Sequence, residues 1–436
     1  MRQRCTNFWQ WIKCVYDSYK ERDFVLLIPL VLAAMGKIVG HVYWRWTEQV
    51  AFPPAADSQW YLDHAKMMLT NFHISFHIDD VLYFGYNSLL AILLAVFKEP
   101  IAIMFVQAVV ASFSVILVYK IAKMLFNKTA AVIASIMYIC MWEITLWTLY
   151  ILSDSFFISV QLLCVYLMLV AMETKRVKDR VLFVLAALYM AVFRPTGVLS
   201  LVFILLYLAI RMPGATWLRL LKRYRLFLGT GGLLLAGGVL YGLQHGLFLP
   251  FAQSFDYNAK LVLYNVYAKG WIYDVPTPYD HFFKPNYRIN EGSSLTVSFI
   301  VNNWSDVLIL YGKRALSFWG KWVWEINLDT WIGVKTLLWY LQIPVLFITG
   351  TAAAIQNRLF RRASVLWLVI MAVSLFCTVL FIDAMYRYRA PAVPFICMIC
   401  AYGGERLLSF MWEWIKTHVR MFAYEERENP DCHPGL

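Results

Sequence analysis

Charge is scarce in this chain. Asp, Glu, Lys and Arg make up 15% of its 436 residues, against roughly 25% in soluble domains. That shortfall excludes a water-soluble globule carrying a single anchor. Cysteine is missing where an exported domain would need it. The eight thiols are Cys5, Cys14, Cys140, Cys164, Cys377, Cys397, Cys400 and Cys432. None falls in the two long segments assigned below to the outside, so no disulfide-stapled ectodomain is expected. The CxxC spelling at Cys397 and Cys400 lies within an apolar run and reads as small thiols on a packed helix face. Glycine-rich phosphate loops, HExxH helices and GxSxG elbows are absent. No cleavable leader is expected either: the polar stretch 1–23 is long, and the apolar run after it is a full span without a small-residue cleavage site.

What is present is 61% hydrophobic residues, in apolar runs of about 20 that recur along the chain, the signature of spanning helices rather than of a β-barrel. Aromatic residues are abundant, with 18 Trp, 26 Tyr and 30 Phe, and many cluster at span ends, where the rings favour the headgroup zone. The expected fold is an all-α polytopic membrane protein. A net charge of +12 would suggest nucleic acid in a soluble protein; here its distribution between loops reads as membrane orientation, and no nucleic-acid partner is implied.

Basic residues collect in 1–23, Lys120 to Lys128, Lys175 to Arg180, Arg211 to Arg225, Arg358 to Arg362 and the tail from Lys416. Placing all of these in the cytoplasm gives one consistent path. Residues 1–23 form a cytoplasmic N-terminal segment and the membrane domain runs over 24–411. Residues 44–84 and 247–303 are outside loops, 304–331 is an interfacial segment, and 412–436 is a cytoplasmic tail. A break at Lys98-Glu99-Pro100 makes 85–97 a half-helix or an interfacial piece, and a turn near Arg194-Pro195 joins two short apolar stretches.

This path brings selected polar residues to one face: Asp57, Asp63, Asp79, Asp80, Asp154, Arg194, Asp383, Arg387 and Arg389. Arg387 and Arg389, in Tyr386-Arg387-Tyr388-Arg389-Ala390-Pro391, run against the positive-inside bias. Snorkelling to lipid headgroups is one account of them. A fixed anion site is the other, because a guanidinium fork suits phosphate. Asp57, just before a helical stretch, reads either as an N-cap or as a base for an acceptor hydroxyl. Asp154 opens the next outward-facing turn and reads either as a helix cap or as a second acid on the shared face. His73, His77, Asp79 and Asp80 have spacing that can hold a metal, with a solvated loop face as the alternative.

These motifs, in this order, resemble the GT-C membrane glycosyltransferases, in particular the bacterial branch related to protein O-mannosyltransferases and lipid A aminoarabinose transferases. The matching residues are Asp57-Ser58-Gln59-Trp60-Tyr61, Phe84-Gly85-Tyr86, Leu152-Ser153-Asp154-Ser155-Phe156, Phe193-Arg194-Pro195-Thr196-Gly197 and Tyr386 to Pro391, with Pro394. The resemblance spans about 24–411. It implies a GT-C-like helix bundle with short interfacial helices in its outer loops, and inverting transfer of a sugar from a polyprenyl-phosphate donor to an acceptor hydroxyl on the outer side. It makes Asp57 the base and Asp154 a second acid. Arg387 and Arg389 become candidates for the donor phosphate, with Arg194 next in line, and Tyr61, Arg194 and Tyr386 line the substrate site. The resemblance fixes no cofactor and leaves room for a divalent metal ion. The acceptor is a glycan, a lipid or a protein, the setting a bacterial cytoplasmic (inner) membrane among its lipids, with both termini cytoplasmic. Asn87 departs from the Pro that many relatives carry after Gly-Tyr, and no Lys-Pro-Pro triplet follows the first loop. Both departures count against aminoarabinose transfer to lipid A. Two rival readings are a lipid or glycan transporter or flippase, which favours charged or broken sites at mid-membrane and internal repeats, and a non-catalytic partner in envelope polysaccharide assembly.

The orientation is directly testable. Thiol labelling of intact cells should reach single cysteines placed in 44–84 and 247–303 and should miss Arg219→Cys. Labelling at 219 would overturn the path and the shared face.

Overall fold

The structure, a computed structural model, describes residues 23–49, 56–71, 77–273, 276–320, 326–380 and 385–428. Among them there is no β-strand; the protein is an all-α, multi-spanning integral membrane bundle. Six helices are long and apolar enough to cross a bilayer, or up to eight if two bent pairs each count as one span.

The first span, α1 (Phe24–Thr47), is interrupted by a π-helical turn at Met35–Val39. Lys37 in that turn donates to the carbonyls of Ile139 (2.6 Å) and Cys140 (2.8 Å), capping a neighbouring helix end. Next come the amphipathic α2 (Ala56–Asn71), the single turn α3 (Ile78–Leu82), and α4 (Phe84–Phe97). The break before α5 (Pro100–Leu125) has a local cause. Proline forces Glu99 into extended backbone, and Lys98 takes a left-handed conformation at φ 61°. α6 (Lys128–Cys140) and α7 (Trp142–Leu146), extended by a 3₁₀ turn to Leu149, form a span bent by 53°. α8 (Ser153–Thr174) is the most buried of the six long spans. α9 (Val177–Ala191) and α10 (Pro195–Arg211) meet at a turn in which Arg194 is extended and Pro195 opens the next helix.

Then follow α11 (Gly214–Arg223), α12 (Arg225–Gln244), α13 (Leu249–Val262), α14 (Leu295–Asn302) and α15 (Trp304–Ser317). The bundle closes with α16 (Trp331–Gln356), α17 (Phe360–Leu375) with a π turn at Phe376–Leu380, the short α18 (Met385–Arg389) and α19 (Val393–Glu428).

Helix runs through two stretches read from the sequence as an outer loop and a tail. The segment 247–303, read as a loop, contains α13 and α14. The last helix, read as ending at 411, continues to Glu428, since no Pro or Gly interrupts the chain between Gly404 and Pro430. Cys5, Cys14, His73, Asp383 and Cys432 lie outside the described residues.

The bundle is apolar on both sides of its helices. Leu32, Ile92, Val96 and Leu226 point outward, while α5, α6, α8, α17 and α19 share one continuous core. Water would make the outer faces an aggregation hazard; lipid tails solvate them. Helices α16 and α19 cross at glycines. A Cβ on Gly403 would stand 2.3 Å from the Leu346 carbonyl oxygen, and one on Gly350 would stand 2.1 Å from that of Ile399. Small residues at such a crossing let two backbones touch. At the adjacent Gly404 a Cβ would meet its nearest neighbour at an ordinary 3.8 Å. Gly403→Ala should therefore lower the unfolding midpoint by the equivalent of about 1–3 kcal/mol, with Gly404→Ala close to wild type. Equal behaviour of the two in thermal unfolding would refute the tight crossing.

Candidate active site

Four helix starts converge. Asp57 is in the first turn of α2 and Asp154 in the first turn of α8; Arg194 caps α10, and Arg387 lies in α18 just ahead of α19. Unpaired N–H groups and the helix dipole make such starts favourable to negative charge.

Their side chains form a chain of alternating sign. Arg387 donates through Nη1 to Asp57 Oδ2 (2.5 Å) and through Nε to Asp154 Oδ2 (3.0 Å). The other oxygen of Asp154, Oδ1, accepts from Arg194 Nη1. Asp154 and Arg194 are completely buried, Arg387 is nearly so, and the Asp57 side chain is half exposed. The site is thus dry at its base and wet at its mouth. Tyr388 lies between the two arginines: the Arg194 guanidinium is 4.3 Å from its ring centre and that of Arg387 is 5.3 Å away.

Several buried donors in this group have no hydrogen-bond partner among the described residues. They are Nε and Nη2 of Arg194, Nη2 of Arg387, and the hydroxyls of Ser153 and Ser155. Buried N–H groups of a charged side chain are costly to leave unmatched. Their natural complement is an anion with several acceptor oxygens.

An aromatic wall stands beside the charges. Tyr61 is buried and packs edge-on against Tyr83 (5.5 Å) and Tyr86 (4.8 Å), and Tyr86 leans on Phe193 next to Arg194. Burial pushes the Tyr61 hydroxyl well above the ordinary phenol range and raises that of Tyr83, so both stay neutral donors. The wall is fixed by main-chain contacts, with Gly85 N–H donating to the Val192 carbonyl at 2.7 Å and Tyr189 hydroxyl donating to the Gly85 carbonyl at 3.1 Å. A Cβ at Gly85 would stand 3.1 Å from the Val192 carbonyl oxygen and from Phe193 Cα, tight against backbone on both counts, which favours glycine there.

The remaining candidates lie elsewhere. Arg389 is buried but turned away, 3.7 Å from Glu143 on α7, and is not part of the ion-pair chain. Tyr386 has its backbone in α18, and its side chain is outside the described part. Asp79 is half-buried and Asp80 pairs with His64. Burial raises the Asp79 carboxyl, against a hydrogen bond from Asn258. Glu143, Tyr83 and Tyr388 went unselected in the sequence as site residues. For Glu143 a signal existed: it is the one acid inside the apolar run 128–149, and an ionisable group at such a place warrants a partner.

No group of three or more His, Cys, Asp or Glu among the described residues is arranged to hold a metal ion. The donor set around Asp57 suits one poorly, since its carboxylate and that of Asp154 are both engaged by guanidinium.

Fold and side chains together define a multi-spanning membrane protein with a partly buried chain of alternating acids and arginines. The family described as dolichyl-phosphate-mannose-protein mannosyltransferase matches residues 84–241, little more than a third of the chain, a stretch that includes Asp154 and Arg194 but neither Asp57 nor Arg387. No protein of curated function matches. Among solved structures, the oligosaccharyltransferase AglB of the archaeon Archaeoglobus fulgidus, in complex with an inhibitory peptide and a dolichol-phosphate, is similar at 14% identity and a TM-score of 0.46 over 96% of this chain and 53% of that one. The apo form of the oligosaccharyltransferase from the same organism matches at 14% identity and a TM-score of 0.46, over 95% and 52%. This chain spans about half the length of those enzymes, and no site residue is carried over from them.

Burial predicts unequal costs for removing the two acids. Asp154→Ala leaves two buried guanidinium groups without their shared partner and should cost about 3–5 kcal/mol. Asp57→Ala removes a half-exposed partner and should cost about 1 kcal/mol or less. Denaturant unfolding in detergent checks the difference; equal losses would contradict the dry base and wet mouth.

Proposed function

We propose that this protein is a GT-C-type membrane glycosyltransferase. It moves a sugar from a polyprenyl-phosphate donor to the hydroxyl of a glycan, lipid or protein acceptor. The observation that carries the reading is the Asp57–Arg387–Asp154–Arg194 chain, with unmatched donors beside a half-exposed carboxylate. The family match over 84–241 supports the same class.

The chemistry follows from the parts. The acceptor oxygen attacks the anomeric carbon as the bond from that carbon to the phosphate oxygen breaks. The phosphate departs with the bonding electrons, and the hydroxyl proton goes to Asp57. Attack opposite the leaving group inverts the configuration, so no second nucleophilic carboxylate is needed. The donor is a phosphodiester with one negative charge, and a second develops on the leaving phosphate. Arg387 and Arg194 supply donors where that charge grows, which stabilises the transition state more than the ground state. Asp154 is the positioning residue that holds both guanidinium groups in place. The aromatic wall of Tyr61, Tyr83 and Tyr86 offers apolar faces and neutral hydroxyls for a sugar or a prenyl chain. Arg389, turned to Glu143, supports the α18 segment instead of contacting phosphate.

Asp57→Asn should fold and bind the lipid phosphate yet lose transfer by about 10²–10⁴-fold, because the shape remains and the base does not. Transfer from a radiolabelled polyprenyl-phosphate sugar in proteoliposomes reads the effect. A rate within a few-fold of wild type would reduce Asp57 to a helix cap. Arg387→Lys keeps the charge but loses the fork. It should weaken donor binding, and an unchanged affinity would remove Arg387 from the phosphate site.

A further inference from the structure

Asp57 and a bound phosphate make the same demand on Arg387. Its Nε is committed to the buried Asp154, its Nη1 is held by Asp57 at 2.5 Å, and only Nη2 lacks a partner among the described residues. A phosphate gripped by the planar fork of Arg387 needs two adjacent N–H groups, and those are Nη2 and Nη1. A phosphate there shares Nη1 with the carboxylate that must accept the acceptor proton, and two anions on one nitrogen repel.

The two acids do not yield equally. Asp154 is fully buried between two guanidinium groups, so breaking its contact would strand a charge in a dry site. Asp57 is half exposed at the start of α2, so water can solvate it once released, and an ion pair of that exposure is weak. An anion arriving at Arg387 will displace Asp57 and leave Asp154 in place.

We propose that the Asp57–Arg387 ion pair is a latch opened by the donor: the lipid phosphate takes over Arg387 Nη1 and frees the Asp57 carboxylate for the acceptor hydroxyl. The inference rests on the reading of Arg387 as a phosphate ligand. It makes binding ordered, with the donor first. It also couples the base to the presence of something to transfer, since without donor Asp57 stays engaged by its arginine.

The latch has an outcome that a supporting role for Asp57 does not share. Removing the Asp57 charge should tighten phosphate binding. The probe is polyprenyl phosphate, the leaving group itself, titrated in detergent micelles against wild type, Asp57→Asn, Asp63→Asn and Arg387→Ala. Asp63 is an exposed acid two turns along the same helix, bonded to Gln59, and controls for general charge repulsion. In Arg387→Ala the buried Asp154 keeps Arg194 as its partner, so no buried acid is orphaned. The latch predicts binding about three- to fivefold tighter in Asp57→Asn, the scale of a partly exposed ion pair, with no change in Asp63→Asn and at least tenfold weaker binding in Arg387→Ala. Unchanged or weaker binding in Asp57→Asn overturns the latch, as does equal tightening in Asp57→Asn and Asp63→Asn. Wild-type binding in Arg387→Ala overturns instead the phosphate reading on which the latch stands.

Discussion

One guanidinium joins the two halves of this chain. Arg387, near the start of the last helix, reaches Asp57 and Asp154, and through Asp154 it is linked to Arg194. An unpaired arginine or aspartate in so dry a place would be severely destabilising. The arrangement persists because each buried charge meets an opposite one. The helix starts that carry these residues are held in register by contacts that depend on close backbone approach, such as Gly85 against Val192.

A second layer of contacts holds the segment that delivers Arg387. The π turn at Phe376–Leu380 precedes it, and its carbonyls are gripped from the side. Arg314, itself buried, donates to the Cys377 carbonyl at 2.8 Å and to that of Trp271 at 3.2 Å. The Tyr267 hydroxyl donates to the Val379 carbonyl and is also bonded to Tyr311 at 2.9 Å. A π turn leaves carbonyls out of the regular ladder and commonly marks a functional place in a helix. Here, residues from the 263–314 region satisfy them. The region read in the sequence as a loop and an interfacial stretch therefore braces the arginine-bearing end of the bundle. On the opposite flank, Glu143 pairs with Arg389 where the α6–α7 span bends. Arg387 is thus fixed between two braces.

The aromatic wall and the charges divide the work of the site. Tyr61, Tyr83 and Tyr86 supply flat apolar surface next to guanidinium groups that keep N–H donors unmatched among the described residues. A lipid-linked phosphate sugar presents both kinds of surface in one molecule. A site that is dry below and wet above also suits a reaction between one substrate that lives in lipid and another that brings a hydroxyl from water.

Composition and hydrophobic pattern determined by themselves that this is a helical membrane protein, because lipid leaves a backbone no other way to satisfy its hydrogen bonds than a helix or a closed barrel. Local chemistry also determined breaks such as Lys98-Glu99-Pro100 and Arg194-Pro195, where proline dictates backbone geometry to its neighbour. The residue types of the ion-pair chain were visible too, since arginines against the charge bias and acids at span ends stand out in so apolar a chain. Only the tertiary structure decided which of them meet. Arg387 lies between Tyr386 and Tyr388 and Arg389 between Tyr388 and Ala390, a local difference that names no partner for either, yet one reaches Asp57 across 330 positions and the other turns to Glu143. Helix α19 likewise runs on past the expected tail, because a mixed polar face does not stop a helix and no proline or glycine was there to do so. Pairing between distant side chains depends on how helices rotate and cross. That is set by close contacts such as Gly350 on Ile399, and a one-dimensional pattern does not contain them.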